Sequence, residues 1–237
     1  QDELTQLKSR RYGLTQMQQA LLAMGDKQDF SVILLDLDWF KNINDNYGHD
    51  VGDQVLSEVA QTLLKSLSEE VIVSRYGGEE FLIVLPDTTH EGAMTIAKQL
   101  RKDIAQQVIK SDDNVDFYIT ASLGVYTLTH EERARIQNEY KALALEENTQ
   151  ALAEPRKNRK QLDRRQGERR QERGSHSSNQ AGAQQTHAQK RISHRTKRAA
   201  KEIVQAQLPS DICQRLICIA DKALYEAKDR GRNQVVS

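Results

Sequence analysis

The chain has 237 residues, of which 38% are hydrophobic and 29% charged, and its mean hydropathy is -0.71. This balance is too polar for burial along the whole length, and no apolar run approaches the roughly 20 residues of a membrane helix. No secretory signal opens the sequence, so an integral membrane domain is excluded and a soluble one is predicted. The spacing of Cys213 and Cys218 matches neither a zinc site nor a redox pair and suits a reducing cytoplasm.

Apolar spacing predicts the first elements in chain order. Helical spacing indicates one helix from Leu4 to Met24. The nearly continuous apolar run from Phe30 to Leu37 is typical of a strand buried on both faces. A short helix from Trp39 to about Tyr47 should end at Gly48, and a longer helix with Asp50 as its cap should follow.

The middle of the chain predicts a hairpin, because two short apolar runs flank a Gly-Gly pair. The further predicted elements are strands from Val71 to Arg75 and Phe81 to Leu85, a helix from Glu91 to Val108, a strand from Phe117 to Tyr126, a helix from Glu131 to Ala153, a helix through Leu216 and Ala227 that ends near Gly231, and a strand from Gln234 to Val236. This alternation predicts an α/β or α+β fold with a central sheet covered by helices.

The formal net charge of zero conceals two regions of opposite charge. Fifteen Lys and Arg but three Asp and Glu lie between Arg156 and Lys201, which gives this segment +12 and leaves -12 on the remainder. The stretch from Pro155 to Lys201 also has no apolar period. We therefore predict an acidic globular part interrupted at about 131–205 by a basic insertion that is flexible or loosely helical.

Two acidic pairs carry the sharpest chemical signal. Asp36 and Asp38 end a buried strand, where carboxylates are costly unless they are compensated. The run Gly77-Gly78-Glu79-Glu80 forms the tip of the predicted hairpin, where glycines let the backbone approach a ligand. Magnesium takes carboxylate and phosphate oxygens. The residues alone also allow the two aspartates to be helix caps and the hairpin tip to be an ordinary turn.

The run Gly77-Gly78-Glu79-Glu80-Phe81, preceded by Arg75-Tyr76, resembles the signature of the GGDEF family of diguanylate cyclases in its GGEEF form. The resemblance covers roughly residues 1–128 and 212–236. Its other motifs are Asp2-Glu3-Leu4-Thr5, Phe40-Lys41-Asn42-Ile43-Asn44-Asp45, Gly48-His49 through Gly52-Asp53, Ser122-Leu123-Gly124-Val125, and Ala220-Asp221-Lys222-Ala223-Leu224-Tyr225 with Lys228, Gly231, Arg232 and Asn233.

The resemblance implies one catalytic domain over 1–237, with a core of 1–128 and 212–237 around the insertion. The implied fold is a mostly antiparallel five-stranded sheet flanked by helices, like that of nucleotidyl cyclases and polymerase palms, with the GGEEF signature on a hairpin. The implied activity condenses two GTP into cyclic di-GMP and pyrophosphate across a homodimer of such domains.

Individual site residues follow from the same resemblance. Asp36 and Glu79, with the carbonyl of Leu37, would hold two Mg²⁺ ions, for which Mn²⁺ is an alternative. Glu80 would help to activate the 3′-hydroxyl. The other implied substrate contacts are Asn44 and Asp53 toward guanine, Lys41, Lys228 and Arg232 toward phosphate, and Phe40, His49, Gly77 and Gly78. An amide and a carboxylate suit guanine, whose O6 accepts and whose N1 and N2 donate, although Asp53 could instead only complement a helix dipole.

Some positions depart from the family pattern. Gln6 and Ser9 replace a glycine and an asparagine near the start of the domain, away from the metal residues. Ser68 and Val71 replace the Arg and Asp of the product-inhibition motif, so we expect feedback through that site to be lost.

Alternatives of other classes remain open at this point. A catalytically silent module that binds GTP or cyclic di-GMP is the main one. A nucleic-acid polymerase or another nucleotide cyclase is disfavoured by Asn44 with Asp53 and by the run from Gly77 to Phe81.

The surroundings of the domain are expectations from sequence. The segment from Arg156 to Arg173 has no aromatic residue, so a solvated polycation is favoured over nucleic-acid or anionic-lipid binding, and specific nucleic-acid binding is not expected. Because the chain enters a helical pattern at Gln1, we expect an upstream sensor segment to be missing. The domain is expected to be cytoplasmic, and the full-length protein could be attached to a membrane.

Overall fold

The computed structural model describes residues 1–110, 116–153 and 209–237, except for the side chains of 144–145 and 147–153. Its elements are β1 (Lys8–Ser9), α1 (Arg10–Ala23), β2 (Phe30–Leu37), α2 (Phe40–Tyr47), α3 (His49–Ser66), β3 (Ile72–Arg75), β4 (Glu80–Pro86), α4 (His90–Gln106), β5 (Ile109–Lys110), β6 (Asp116–Phe117), β7 (Ala121–Leu128), α5 (His130–Ala153), α6 (209–229) and β8 (Val235–Val236). The predicted flexible stretch from Pro155 to Lys201 lies outside the described residues.

A six-stranded sheet with the order β1-β3-β4-β2-β7-β8 forms the centre of the fold. The four inner strands pair antiparallel, and β1 and β8 pair parallel at the two edges. All eight residues of β2 are buried, which requires cover on both faces of the sheet. The predicted α/β fold with a mostly antiparallel sheet is confirmed, but the sheet has six strands rather than five because β1 extends one edge.

Three predicted boundaries are wrong. The first helix begins at Arg10 rather than Leu4, because the Asp2 carboxylate accepts hydrogen bonds from the amide and hydroxyl of Thr5 in a turn, and Gln6 has a φ of 58°. Asp50 lies in the first turn of α3, whose N-cap is Gly48. The predicted strand from Phe117 to Tyr126 divides into β6, which pairs with β5, and β7.

Helix α6 packs directly on β7 because Gly124 has no side chain. A Cβ at Gly124 would lie 2.0 Å from the Ala220 carbonyl oxygen and 2.3 Å from the Leu224 amide nitrogen. Only glycine permits this approach of helix backbone to strand. The contact fixes α6 against the sheet so that Lys228, one turn beyond Leu224, reaches the end of β2.

The chain divides into two units, Gln1–Arg135 with Pro209–Ser237, and Ile136–Leu208. Every residue predicted for the site lies in the first of these. The domain boundaries predicted from sequence stay a prediction. Among the described residues, no helix combines the length and apolar character that crossing a bilayer requires.

Candidate active site

The acidic centre of the site lies where β2 ends. Asp36 is 6% exposed and stands in register with Glu80 of β4 and Ser122 of β7. Its carboxylate forms an ion pair with Lys228, with 2.8 Å between Oδ2 and Nζ. The Leu37 amide donates to the Glu79 carbonyl at 3.3 Å. The strand end and the tip of the hairpin are therefore tied together.

The hairpin tip between β3 and β4 is fixed by backbone groups and by Arg75. The Tyr76 and Gly77 amides both donate to the Glu80 carbonyl, at 2.7 and 3.2 Å. The Arg75 guanidinium donates twice to the Gly78 carbonyl, at 3.1 and 2.8 Å. It also donates to the Asp2 carboxylate at 3.2 Å. Arg75 thus anchors the tip to the N-terminal turn.

Gly77 leaves room for the Glu80 side chain, which folds over it. A Cβ on Gly77 would lie 2.4 Å from Oε2 of Glu80. Gly78, next to it, is exposed and has open space around its Cα. A side chain at Gly77 would therefore displace the Glu80 carboxylate from its present position.

Three carboxylates of the site share one electrostatic environment. Burial raises the pKa of Asp36, although Lys228 opposes the shift. Burial and, next, the charge of Asp36 raise the pKa of Glu79 and of Glu80, again against Lys228. One lysine does not offset the cost of holding three carboxylates together. The cluster has a deficit of positive charge that a cation would relieve.

The donor set fits a magnesium ion that shares its ligands with a substrate. Among the described residues, no three or more His, Cys, Asp or Glu side chains are arranged to hold a metal by themselves. Mg²⁺ usually binds through one or two carboxylates, with waters and substrate phosphates completing its octahedron. Asp36 and Glu79, supplied by adjacent backbone segments, meet that requirement in ligand type.

Asp38 is a buried carboxylate of a different kind, 3% exposed. It accepts from the hydroxyls of Thr120 and Ser122, both at 2.7 Å. It also accepts from the Asn233 amide at 2.9 Å. Neither aspartate caps α2, whose N-cap is Trp39, so the capping alternative is wrong for both. Asp38 joins the end of β2 to the segment that follows α6.

The residues predicted to read guanine lie on consecutive helices. Asn44 of α2 is half-buried, and Gly52 of α3 makes room for it, since a Cβ there would lie 2.0 Å from Asn44 Oδ1 and 3.3 Å from the Phe40 ring. Asp53 follows Gly52 and is exposed. The turn between the helices is made at Gly48, with a φ of 86°.

The predicted phosphate contacts surround the start of α2. Lys41 in its first turn is exposed, as is His49 at the start of α3, whereas Phe40 is buried. Lys228 contacts Asp36. Arg232 lies over the Trp39 ring, with 3.9 Å from Cζ to the ring centroid. The structure therefore brings Asp36, Glu79, Glu80 and Lys228 together, with Arg232 beside the N-cap of α2.

The sequence did not reveal three structural details of the site. The signature run contains Arg75 but does not indicate that it anchors the hairpin tip. The Asp38 hydrogen bonds and the contact of Trp39 with Arg232 were not anticipated. Their partners are distant in sequence, and only the motif around Gly231 and Asn233 gave any signal of this region.

The positions of the missing product-inhibition motif border a cavity of about 290 Å³. Ser68 and Val71 line it together with Leu64, Leu67 and Val73. The Val71 amide donates to the Ser68 carbonyl at 3.1 Å. Loss of feedback through this site stays a prediction.

The family model described as diguanylate cyclase, GGDEF domain, matches residues 1–158, more than half of the chain. The chain belongs to the GGDEF family. Diguanylate cyclase A of Treponema denticola is 37% identical over 128 residues, which cover 52% of this chain and 34% of that protein. The chain spans between 23% and 38% of the length of the curated relatives it matches.

Solved structures share this GGDEF fold. The active GGEEF domain of a diguanylate cyclase from Vibrio cholerae is 25% identical with a TM-score of 0.57, and the match covers 98% of this chain and 97% of that one. The GGDEF domain of DgcB from Caulobacter crescentus, solved in complex with c-di-GMP, is 21% identical with a TM-score of 0.63, over 100% and 91% of the two chains. The latter likeness concerns the fold alone.

Proposed function

We propose that this GGDEF domain is a diguanylate cyclase that condenses two GTP molecules into cyclic di-GMP and two pyrophosphates. The observation that carries the proposal is the cluster of Asp36, Glu79 and Glu80, three carboxylates with raised pKa held by strand register around one lysine. Metal ions bound together with a triphosphate would supply the positive charge that this cluster lacks, and the triphosphate would supply oxygens for the magnesium shell.

The reaction forms two phosphodiester bonds. The 3′-oxygen of each GTP attacks the α-phosphorus of the other GTP. The bond between that phosphorus and the oxygen bridging to the β-phosphate breaks, which releases pyrophosphate. The proton of the 3′-hydroxyl passes to a base. We assign that proton to Glu80, because burial and the charge of Asp36 raise its pKa and so bring it closer to the working pH of a general base. Asp36, Glu79 and the Leu37 carbonyl would hold two Mg²⁺ ions. When bound, these ions would neutralise the triphosphate and stabilise the leaving pyrophosphate.

The substrate is oriented by groups on both sides of the acids. Asn44 and Asp53 supply an amide and a carboxylate for the guanine edge. Lys41, Arg232 and Lys228 would contact the phosphates, and Lys228 would then exchange its ion pair with Asp36 for a phosphate contact. Because one domain presents one such cluster within its described residues, the two attacks require two domains facing each other, as a homodimer. GTP places the reaction in the cytoplasm.

One observation favours a second function. Lys228 already neutralises part of the charge on Asp36 at 2.8 Å, as in a site that binds nucleotide without metal. A silent module that binds GTP or cyclic di-GMP would keep this pair intact. Product formation separates the two functions.

The test is incubation with GTP and Mg²⁺, followed by chromatography and mass spectrometry of the products. Wild-type protein should form cyclic di-GMP and pyrophosphate, Glu79→Gln should not, and Glu91→Gln, an exposed first-turn acid of α4, should behave as wild type. GTP that binds and is recovered unchanged from a dimeric sample would establish the silent module instead.

A further inference from the structure

Trp39, the only tryptophan in the chain, occupies a costly position. It is the residue between Asp38 and the first helical residue of α2, and its φ of 59° lies in the left-handed region. That region is an outlier for a bulky side chain and is retained where other interactions enforce it. The side chain is also 60% exposed, so burial in the core does not explain why an indole stands here.

The partner of the indole is presented by an equally unusual turn. Gly231, Arg232 and Asn233 have φ values of 106°, 66° and 47°, three consecutive positive values after α6. Two side chains from elsewhere in the fold hold Asn233 in this turn. The Asn233 amide donates to Asp38, and Arg101 of α4 donates to the carbonyl and the side-chain oxygen of Asn233, at 3.2 and 3.0 Å.

Asp38 therefore connects both sides of the contact. It precedes Trp39 in the chain and accepts from the residue after Arg232. With both backbones fixed at this point, the guanidinium lies over the indole face, 3.9 Å from its centroid. Cation–π attraction at this distance holds the guanidinium carbon over the ring, and a guanidinium held this way can still use the N–H donors at its edges for phosphate oxygens.

We infer that Trp39 is a positioning residue that holds the Arg232 guanidinium ready for the nucleotide phosphates. This inference rests on the proposed function. A free arginine side chain samples many rotamers, and one held in place loses less freedom when it binds phosphate. Holding Arg232 in place should therefore strengthen the binding of the triphosphate and leave the binding of the unphosphorylated nucleoside unchanged.

The contact can be tested without any nucleotide, because Trp39 is the only source of tryptophan emission. Arg232→Gln should change the emission maximum and the accessibility of Trp39 to acrylamide quenching. Leu22→Ala, which removes an equally exposed apolar side chain on α1, should change neither. Identical emission and quenching of wild type and Arg232→Gln would overturn the contact between Arg232 and Trp39.

The role of the contact is tested by calorimetric affinity for a GTP analogue with a methylene group between the α- and β-phosphates, with guanosine as the comparison. Trp39→Leu should weaken binding of the analogue by about two- to fivefold, the range for an exposed cation–π contact, and leave guanosine binding unchanged. Trp39→Phe, which keeps an aromatic face, should restore most of the loss. In the Arg232→Gln background, Trp39→Leu should have no further effect.

Different results would contradict the role of Trp39, the role of Arg232 and the proposed function. Equal losses for the analogue and guanosine, or additive losses in the double variant, would mean that Trp39 supports the fold and does not act through Arg232. Unchanged analogue affinity in Arg232→Gln would remove Arg232 from the phosphate site and overturn the inference. Cyclic di-GMP formation by the wild type, measured on the same preparation, reports on the proposed function independently.

Discussion

Asp36 and Asp38 are two residues apart at the end of the same strand, and both are almost fully buried, yet their surroundings differ. Fixed protein donors surround Asp38: two hydroxyls and a backbone amide lie within 2.9 Å. Asp36 has one lysine, whose side chain is partly exposed, and its pKa is raised because burial outweighs that lysine.

Under the proposed function, the difference separates a carboxylate that serves the fold from one that serves a ligand. A buried charge is tolerated when hydrogen bonds replace its lost hydration. At Asp38 the protein itself provides them. At Asp36 the compensation is incomplete, so a ligand that brings positive charge gains binding energy there. Removing each carboxylate should thus affect different properties.

The largest expected effect is the loss of catalytic activity caused by Asp36→Asn. We expect the rate of cyclic di-GMP formation to fall by about 10²–10³-fold, the loss typical of removing one group that stabilises developing charge. The free energy of unfolding should stay the same or rise, because an uncompensated buried charge is removed. Initial rates and urea denaturation measure the two quantities. Glu91→Gln is the control for loss of an acid outside the site.

Asp38→Ala should have its main effect on stability. We expect the free energy of unfolding to fall by about 1.5–3 kcal/mol, the usual contribution of hydrogen bonds to a charged group, and the Ser122 hydroxyl to lose its buried partner. Urea denaturation of Asp38→Ala, Ser122→Ala and the double variant measures this. The double variant should lose less than the sum of the single losses. Additive losses would mean that the hydroxyl and the carboxylate do not stabilise each other.

A third test concerns Asn44, which packing holds in place. Gly52→Ala would place a Cβ 2.0 Å from Asn44 Oδ1 and displace the amide, although alanine generally favours a helix over glycine by about 0.5–1 kcal/mol. Preference for GTP over ATP should fall in Gly52→Ala as in Asn44→Ala, by about 1–3 kcal/mol, the cost of an unpaired polar group. Competition binding measures it. Gly92→Ala in α4 is the control, and preserved selectivity in Gly52→Ala would show that Asn44 is not held this way.

The smallest expected effect is on the pH dependence of the free energy of unfolding, to which Asp36 and Asp29 should contribute with opposite signs. The raised pKa of Asp36 means that its contribution to stability is present below the ordinary pKa and lost as pH rises through the raised one. Burial raises the pKa of Asp29, but hydrogen bonds from His130 outweigh this effect, so the pKa is lowered. Its contribution is present above the ordinary pKa and lost as pH falls through the lowered one.

Unfolding free energies at several values between about pH 3 and pH 6, the range around ordinary carboxyl pKa values, reveal these signs. Asp36→Asn should gain stability relative to wild type as pH rises through the upper part of this range. Asp29→Asn should lose stability relative to wild type as pH rises through the lower part. The same sign for both variants would contradict the contrast between compensated and uncompensated carboxylates.

Strong periodicity made several elements predictable from sequence. The apolar run of β2, the helical spacing of α3 and the Gly-Gly turn between β3 and β4 all correspond to the observed elements. Strand β1 was missed because it has two residues, too few for any period. The turn at Asp2 and Thr5 depends on side-chain hydrogen bonds that helical spacing does not encode.

The residues of the candidate site could be named from the sequence, but the different surroundings of Asp36 and Asp38 could not. Asp36 and Asp38 look alike in sequence because both follow the same apolar run. The Asp38 partners Thr120 and Asn233 are 82 and 195 residues away. Only the pairing of β2 with β7 and the return of the chain after α6 bring them together. Strand register thus decides which acid is compensated.

The most direct test of the difference between the two acids is the Mg²⁺ dependence of nucleotide affinity. Calorimetry with the methylene GTP analogue, with and without Mg²⁺, should be done on wild type and on Asp36→Asn. We expect Mg²⁺ to strengthen binding to the wild type and to have little effect on Asp36→Asn, with both proteins equally folded. Equal strengthening in both would contradict the proposal that the charge of Asp36 is held for a metal-bound nucleotide.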